Sequence, residues 1–320
     1  MPADLRVLLS SAGRRVALLR CFREAAAALG AGLEVHATDM APEWSAACGS
    51  ADRAHAVPAA TTDAYVTATL DICARERIDL LVPTIDTELH ALAAARERFA
   101  AIGTHVVVGD VEMVDMARDK LATARFLEDA GIPTPPTEAA EAVDDDWRWP
   151  AIAKPRHGSA SRGLARLRGH ADLSALVMTE PYVVQELLDG QEYTVNLYFD
   201  ASGGLRCAVP HRRVAVRAGE VEKGVTERHE PLCALARQLA TAVAGRTRGA
   251  WCFQAFVDAA GQPSVFEINA RFGGGYPLAH HAGAPFARWL LEERLGLPST
   301  ATDDWAAGVT MLRYDDAVFL

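Results

Sequence analysis

Two neighbouring segments near residue 260 constrain the fold most, because both alternate like strands and only a short Gly-containing turn separates them. The first runs from 253 to 258 with Gln254 at its head, and the second, 264 to 271, carries Glu267 and Asn269 two residues apart. Strand alternation points Glu267 and Asn269 to the same face. One carboxylate with two amide oxygens suits Mg²⁺, which takes hard oxygen ligands and usually one or two carboxylates. The pattern therefore predicts a metal site, with an ordinary polar strand face as the alternative.

A guanidinium and a glycine turn follow the predicted metal ligands. Arg271 lies two residues beyond Asn269 on the same predicted face, where it can bind a phosphoryl oxygen. The turn Gly273, Gly274 and Gly275 comes next. Its backbone N–H groups can form a concave anion site, so we expect this turn to bind a substrate carboxylate. That expectation favours amino acids as substrates.

A second region predicts a phosphate-binding loop. An apolar strand from about residue 147 ends at Lys154, and the loop 155–163 that follows is rich in Gly and Ser. Backbone N–H groups of small residues approach anions closely, and Lys154 adds a point charge. The loop has neither the ending of a Walker A motif nor a dinucleotide fingerprint. Its candidate nucleotide ligands are Gly158, Ser159, Ser161 and Gly163.

The segment 183–195 reads as a strand, a turn at Asp189 and Gly190, and a second strand. Backbone groups near Glu186 and Leu188 can pair with the edge of an adenine. The carboxylate of Glu192 can accept hydrogen bonds from ribose hydroxyls. An ordinary β-hairpin is the alternative to a nucleotide site.

These motifs in this order resemble the ATP-grasp superfamily. They are Lys120, Lys154 with its small-residue loop, Gln-Glu-x-Leu-x-Gly-x-Glu beginning at Gln185, then Gln254, and finally Glu-x-Asn-x-Arg at 267–271. The resemblance extends from about Lys120 to about Leu278. It is closest to the carbamoyl-phosphate-synthetase-like and pyrrolysine-biosynthesis-like carboxylate–amine ligases, whose Glu-Ile-Asn-x-Arg-x-Gly-Gly segment this chain matches.

The resemblance implies a fold of α/β and α+β type. A Rossmann-like lobe at 1–115, which binds no dinucleotide, would precede two α+β lobes that clasp ATP. The lid subdomain would cover 116–184, and the C-terminal subdomain with the metal site would cover 185–320.

The resemblance also implies the cofactors ATP and Mg²⁺ and a reaction. The enzyme would phosphorylate a carboxylate substrate to an acyl phosphate, which an amine would attack to give an amide or peptide bond, ADP and phosphate. Lys120 would bind phosphate, although a solvated cation is its alternative. Lys223 falls where relatives often carry a histidine beside the transferred phosphate, so it is a candidate catalytic residue with Arg271, against a charged hairpin face. The loop 158–163 would also act as a lid that excludes water.

Three other functions stay open on the sequence alone. A carbamate- or bicarbonate-phosphorylating enzyme would share every ATP contact. A non-catalytic ATP-binding regulator would not need the metal pair, so Glu267, Asn269 and Arg271 count against it. A simple hydrolase would release phosphate whichever amine is present.

The first 110 residues alternate between apolar strands and helical periods, which predicts βαβ crossovers and a parallel sheet. Ligands of such sheets lie beyond the carboxyl ends of the strands. Arg14, with Arg15 beside it, can hold a substrate carboxylate there or lie on the surface. Asp86 and Glu88 are expected to cap the following helix rather than bind a substrate amine. His280 and His281 can line the acceptor side or serve the core.

Composition excludes several classes of partner. The 320 residues carry a formal net charge of −10 without a basic stripe, which argues against nucleic acid. No apolar run is long enough to span a bilayer, and the N-terminus does not resemble a signal peptide. The six cysteines show no metal or redox spacing, so we expect a reducing cytoplasm. The expected partners are small carboxylate and amine molecules, with a homodimer left open.

Overall fold

The N-terminal lobe is a parallel sheet of five strands in the order β3-β2-β1-β4-β5. In this computed structural model, which describes residues 4–144, 146–158 and 162–320, helices alternate with those strands as the sequence predicts. The strands of this lobe are β1 (Leu5–Ser10), β2 (Leu33–Asp39), β3 (Arg53–Ala56), β4 (Leu80–Pro83) and β5 (His105–Val106). Its helices are α1 (Val16–Leu29), α2 (Ala46–Ser50), α3 (Ala64–Glu76), α4 (Asp86–Ala94) and α5 (Arg96–Ala101).

The central strands of this lobe are apolar because helices cover both faces of a parallel sheet. Val7, Leu8 and Leu9 of β1 have no exposed surface. Helix α1 ends at Gly30, whose φ of 63° is the left-handed conformation that favours glycine. Because β1, β2 and β4 are parallel, their carboxyl ends lie at one edge of the sheet, where ligands of such sheets bind.

The lid is a small antiparallel sheet in the order β6-β9-β7-β8. Its strands are β6 (Thr137–Ala139), β7 (Ala151–Pro155), β8 (Ala165–Leu167) and β9 (Tyr182–Glu186), and α8 (His170–Ser174) is its helix. Helices α6 (Val111–Arg118) and α7 (Lys120–Asp129) lead into the lid and pack on a core formed by the two larger lobes. Strand β7 begins at Ala151 and not near residue 147 as the sequence suggested. Pro150 explains the later start, because proline has no N–H to donate to a neighbouring strand.

The C-terminal lobe contains a six-stranded antiparallel sheet in the order β14-β13-β10-β11-β12-β15. Its strands are β10 (Gln191–Phe199), β11 (Leu205–Arg217), β12 (Glu220–Thr226), β13 (Gly249–Val257), β14 (Pro263–Asn269) and β15 (Thr310–Leu312), and its helices are α9 (Glu230–Ala242), α10 (Tyr276–His281) and α11 (Phe286–Leu295). A tight turn at Ala218 and Gly219, with φ of 51° and 78°, joins β11 to β12.

The strands of 183–195 do not form a hairpin. Strand β9 belongs to the lid sheet and β10 to the large sheet, so the chain crosses between the two sheets at 187–190. Gly190 makes the crossing compatible with the backbone of β13. Its φ is 126°, and a Cβ there would lie 2.2 Å from the carbonyl oxygen of Val257.

One hydrophobic core joins the N-terminal lobe to the large sheet. It contains Val7 and Val35 of the parallel sheet together with Val209, Phe272 and Trp289 from the C-terminal lobe. The lid has a separate small core that includes Ala151, Leu173 and Val184. The two larger lobes are therefore packed as one unit, and the lid packs on its own core. Among the described residues, no helix combines the length and the apolar character that a bilayer crossing requires.

Candidate active site

A cavity of about 550 Å³ lies where the carboxyl edge of the parallel sheet, the large sheet and the lid meet. It brings together side chains that are far apart in the sequence. The predicted residues that line it are Lys120, Lys154, Gly158, Gln185, Glu186, Leu188, Glu192, Gln254, Glu267, Asn269, Arg271, Gly273, Gly274 and Gly275. Ser159 and Ser161, which were also predicted, lie outside the described residues.

The candidate metal ligands share one face of the β13/β14 pair. Gln254 lies directly opposite Glu267 in the register, and Glu267 and Asn269 both face the cavity. The expectation that Gln254 heads its strand is wrong. Strand β13 already begins at Gly249, because Ala250 to Phe253 are buried and pair with β10.

Oxygen donors at this face fit a hard cation. Glu267 is half-buried, and within the described part of the chain its carboxylate makes no ion pair or hydrogen bond with protein. Burying a carboxylate without a partner is unfavourable in free energy, and a bound cation would offset that penalty. No group of three or more His, Cys, Asp or Glu in the described ranges is placed to hold a metal, so the set depends on its two amides.

Arg271 ties this face to the N-terminal lobe. Its Nη2 donates to Asp86 Oδ2 at 2.8 Å and to Asn269 Oδ1 at 2.9 Å. Burial would lower the pKa of Arg271, but Asp86 and other acidic neighbours such as Glu267 together outweigh burial and raise the pKa, so the guanidinium stays charged. Asp86 is therefore an ion-pair partner and not the helix cap that the sequence suggested.

Glu88 alone caps α4. Its fully buried carboxylate accepts from the N–H groups of Thr84 at 2.7 Å and Ile85 at 3.1 Å, and from Ser11 Oγ at 2.8 Å. Burial raises the pKa of Glu88, although Tyr65 and these backbone donors oppose the rise. The predicted capping role of Glu88 is confirmed, and its contacts fix the β1 and β4 loops at the cavity edge.

Two lysines enter the cavity, Lys154 from the lid strand β7 and Lys120 from the start of α7. Lys154 on β7 is buried, donates to Gln185 Oε1 at 2.6 Å, and lies 5.1 Å from the ring centre of Phe266. Burial lowers the pKa of Lys154 to about 8, and nearby Glu267 opposes that effect. Lys120 starts α7 as predicted and donates to the carbonyl oxygen of Gly158 at 2.5 Å. Both ammonium groups thus have neutral oxygen partners, which leaves their charge for an anion.

Gln185 and Glu192 are both engaged with protein groups. Gln185 accepts from Lys154 and donates its Nε2 to Thr137 Oγ1 at 2.7 Å, so it positions that lysine. Glu192 lies 3.0 Å from Arg213 Nε. Burial raises the pKa of Glu192, and Arg213 opposes the rise. Glu186 and Leu188, together with apolar side chains such as Ile152 and Phe266, line the wall expected to receive the base.

Three predicted residues lie outside the cavity lining. Lys223 is exposed on β12, where it pairs with Ala215 between two shifts of register. Arg14 is exposed, whereas Arg15 lines the cavity. Gly163 has a φ of 69° and packs against Pro155 and Tyr182, where a Cβ would lie 2.8 Å from atoms of both residues. These placements correct the roles given to Lys223 and Arg14, and the role of Gly163 in nucleotide binding stays a prediction.

The glycine turn lies at the cavity, and close packing explains why its residues are glycines. Gly273, Gly274 and Gly275 all have negative φ values, so left-handed backbone does not require glycine here. Close packing does. A Cβ on Gly274 would lie 2.8 Å from Glu220 Cδ, and one on Gly275 would lie 2.7 Å from His211 Nε2. Their role in carboxylate binding stays a prediction.

The histidines that follow this turn lie on α10, outside the cavity lining. His280 contacts Glu24 at 3.1 Å and the Tyr276 hydroxyl at 3.2 Å, and neither His280 nor His281 lines the cavity. The interpretation of His280 as a core imidazole is therefore favoured.

Sequence reasoning missed several charged residues at the cavity. Arg162, Arg213 and Glu220 line it, and Arg313, outside the lining, donates to Glu220 Oε2 at 2.8 Å. Local patterns along the chain could not show that these side chains meet at one cavity. Arg15 was considered only as a companion of Arg14, because the helix start alone does not reveal which arginine points inward.

Two family models match the chain. The one described as the PylC-like N-terminal domain covers residues 7–107, and the one described as the ATP-grasp domain covers residues 117–275. The chain belongs to the ATP-grasp family. Members of this family are ADP-forming ligases, and ATP and Mg²⁺ are their usual cofactors.

Two curated ligases share part of the sequence. A D-alanine–D-alanine ligase from Marinomonas sp. (strain MWYL1) is 31% identical over 111 residues, which are 30% of this chain and 35% of that protein. A ligase with the same description from Alcanivorax borkumensis is 33% identical over 99 residues, 29% of this chain and 32% of its own length. The chain thus matches about a third of the length of these relatives.

Solved structures show the same fold over most of the chain. The biotin carboxylase domain dimer of Hydrogenobacter thermophilus 2-oxoglutarate carboxylase, in complex with MgADP, ADP and bicarbonate, has a TM-score of 0.74 at 14% identity and covers 93% of this chain and 71% of that one. An L-amino acid ligase from Bacillus licheniformis has a TM-score of 0.69 at 18% identity, with 91% and 74% covered. These similarities confirm the predicted fold class of a Rossmann-like lobe followed by an ATP-grasp fold.

Proposed function

We propose that this protein is an ATP-dependent carboxylate–amine ligase. It would phosphorylate a carboxylate substrate, an amino acid, to an acyl phosphate and couple it to an amine, with an amide, ADP and phosphate as products. The observation that carries the proposal is a single cavity in which two lysines with neutral partners face an unpaired carboxylate, Glu267.

The residues present fit ATP and Mg²⁺. Glu267, Gln254 and Asn269 would hold the metal, and Lys120 and Lys154 would hold phosphate oxygens. When bound, ATP supplies the phosphoryl group and Mg²⁺ neutralises its charge. Glu186 and Leu188 would meet the adenine, and Glu192 would accept from the ribose, as the sequence predicted.

The remaining groups orient and shield the reacting atoms. Arg271 is fixed between Asp86 and Asn269, so its charge lies beside the metal ligands without needing to reorganise. Gly158 and Arg162 line one side of the cavity. The loop to which they belong would exclude water from the intermediate. An attacking amine needs no protein nucleophile, so a Ser-His-Asp or Cys-His arrangement is not required.

The L-amino acid ligase and the D-alanine–D-alanine ligases support an amino-acid substrate by their names alone. A homodimer is also a proposal, supported by the dimeric neighbour from Hydrogenobacter thermophilus. A cytoplasmic location remains a prediction.

The test is a panel of amino acids, supplied singly and in pairs with MgATP, scored for phosphate release and for product mass. We expect release that depends on both substrates and a product with the mass of the pair less one water. Phosphate release with bicarbonate and ammonia alone would favour the carbamoyl-phosphate alternative. Release that is indifferent to every amine would identify a hydrolase, and MgATP binding without any release would identify a regulator.

A further inference from the structure

Three charged side chains from distant parts of the chain meet at the end of the cavity beside the glycine turn. Arg15 comes from the start of α1, Glu220 from the start of β12, and Arg313 from the segment after β15. Arg15 Nη1 lies 3.2 Å from Glu220 Oε1, and Arg313 Nη1 lies 2.8 Å from Glu220 Oε2. Arg313 also donates to the carbonyl oxygen of Gly274.

This cluster has more positive than negative charge. Two guanidinium groups share the one carboxylate of Glu220, and both oxygens of that carboxylate are occupied. The neighbouring pair of Arg271 and Asp86 is neutral by itself, with its atoms 2.8 Å apart. One positive charge therefore remains unbalanced at this end of the cavity.

Arg15 is the guanidinium with donors to spare. Arg313 uses both of its terminal nitrogens on Glu220 and Gly274, whereas among the described residues the Arg15 side chain makes an ion pair with Glu220 alone. Only 20% of the Arg15 side chain is exposed, and it lines the cavity, so its remaining N–H groups are available to a ligand there. Burial lowers the pKa of Arg15 and Glu220 opposes that effect, as expected for a cation held away from water.

We propose that Arg15, supported by Glu220 and Arg313, binds a free carboxylate of the amine substrate. The amine substrate would then be an amino acid rather than ammonia or a simple amine. A planar guanidinium binds a carboxylate through two parallel hydrogen bonds, which matches the donors that Arg15 has free. Glu220 holds Arg15 in place. The inference rests on the proposed function, because it names the substrate class of that same site.

The competing explanation is that Arg15 and Glu220 only tie the two lobes together. Such a tie would affect stability but not the choice between a carboxylate and its neutral amide. Discrimination between those two ligands is therefore the deciding measurement.

The experiment uses the intact chain with MgADP and a thermal-shift screen of single amino acids, each compared with its own amide. For the amino acids that bind, we expect the amide to bind about tenfold or more weakly. Arg15→Gln should weaken amino-acid binding by about 10- to 100-fold while MgADP binding stays unchanged. Arg15→Lys, which keeps the charge but not the fork, should retain part of the affinity.

Arg14→Gln is the matched control, because Arg14 is the exposed neighbour of Arg15. It should bind amino acids as the parent does. Equal binding of an amino acid and its amide, unchanged binding in Arg15→Gln, or no stabilisation by any amino acid at millimolar concentration would each overturn the inference. Failure of MgADP itself to bind would instead count against the proposed function.

Discussion

Glu267 is the residue on which the proposed metal site depends most, because it is the only carboxylate of the set. Glu267→Gln keeps the size of the side chain and removes its charge. We expect turnover to fall by about 100-fold or more, since the transferred phosphoryl group would lose its metal-held charge balance. Phosphate release under saturating MgATP measures the change.

Glu128→Gln is a suitable control for that experiment. Glu128 is exposed on α7, and its neutralisation should leave turnover near that of the parent. Turnover of Glu267→Gln within threefold of the control, with the fold unchanged, would remove Glu267 from the site.

The lowered pKa of Lys154 predicts that nucleotide binding depends on pH. Burial lowers its pKa to about 8, so the folded protein without ligand begins to lose this charge as the pH rises through that value. Bound phosphate favours the charged lysine, so affinity for MgADP is highest below about pH 8. It should weaken above that pH, by at most about tenfold per unit.

Calorimetric titration with MgADP at about pH 7 and about pH 9 measures this dependence. Lys154→Arg keeps its charge at both values and should bind with nearly the same affinity at each. An equal affinity of the parent protein at both pH values would show that Lys154 does not contact the nucleotide.

At the scale of the element, the sequence predicted strands and helices well but not which strands pair. Alternation identified the strands β13 and β14. The pattern of strand, turn and strand over 183–195 did not show that β9 and β10 belong to different sheets, because local patterning carries no information on which strands pair. Lys223 was a candidate through the family resemblance, and the register shifts beside it are invisible in the sequence.

The crossing at 187–190 gives a prediction about the lid. Gly190→Ala should destabilise the protein by about 2–3 kcal/mol, because its φ is reserved for glycine and the new Cβ would meet the Val257 carbonyl. Thermal or urea unfolding measures the loss.

Gly169→Ala is the matched control on the lid, because its φ is not positive and a Cβ there meets no atom within 4 Å. It should leave stability nearly unchanged. Equal stability of the two variants would show that the crossing between the sheets tolerates a side chain.

At the scale of the whole molecule, the cavity arises from the way three lobes meet. Motif order predicted most of the cavity face proposed to bind phosphate and metal, because those residues lie on short local patterns. The opposite end could not be predicted, since Arg15, Glu220 and Arg313 are brought together from the two ends and the middle of the chain. The shared core of the N-terminal lobe and the large sheet fixes that meeting point.

The proposed reaction requires the complete cavity formed by the three lobes, and the identity of the nucleotide product tests it. If a carboxylate takes the γ-phosphoryl group and an amine then displaces phosphate, ADP is the nucleotide product. With ¹⁸O in the donor carboxylate, one labelled oxygen should appear in the released phosphate, because the attacking oxygen keeps its bond to phosphorus. Mass analysis of phosphate and nucleotide reads both outcomes. A ligase that works through an acyl adenylate would instead release pyrophosphate and carry the label into AMP, and that result would refute the acyl-phosphate mechanism whichever substrates are used.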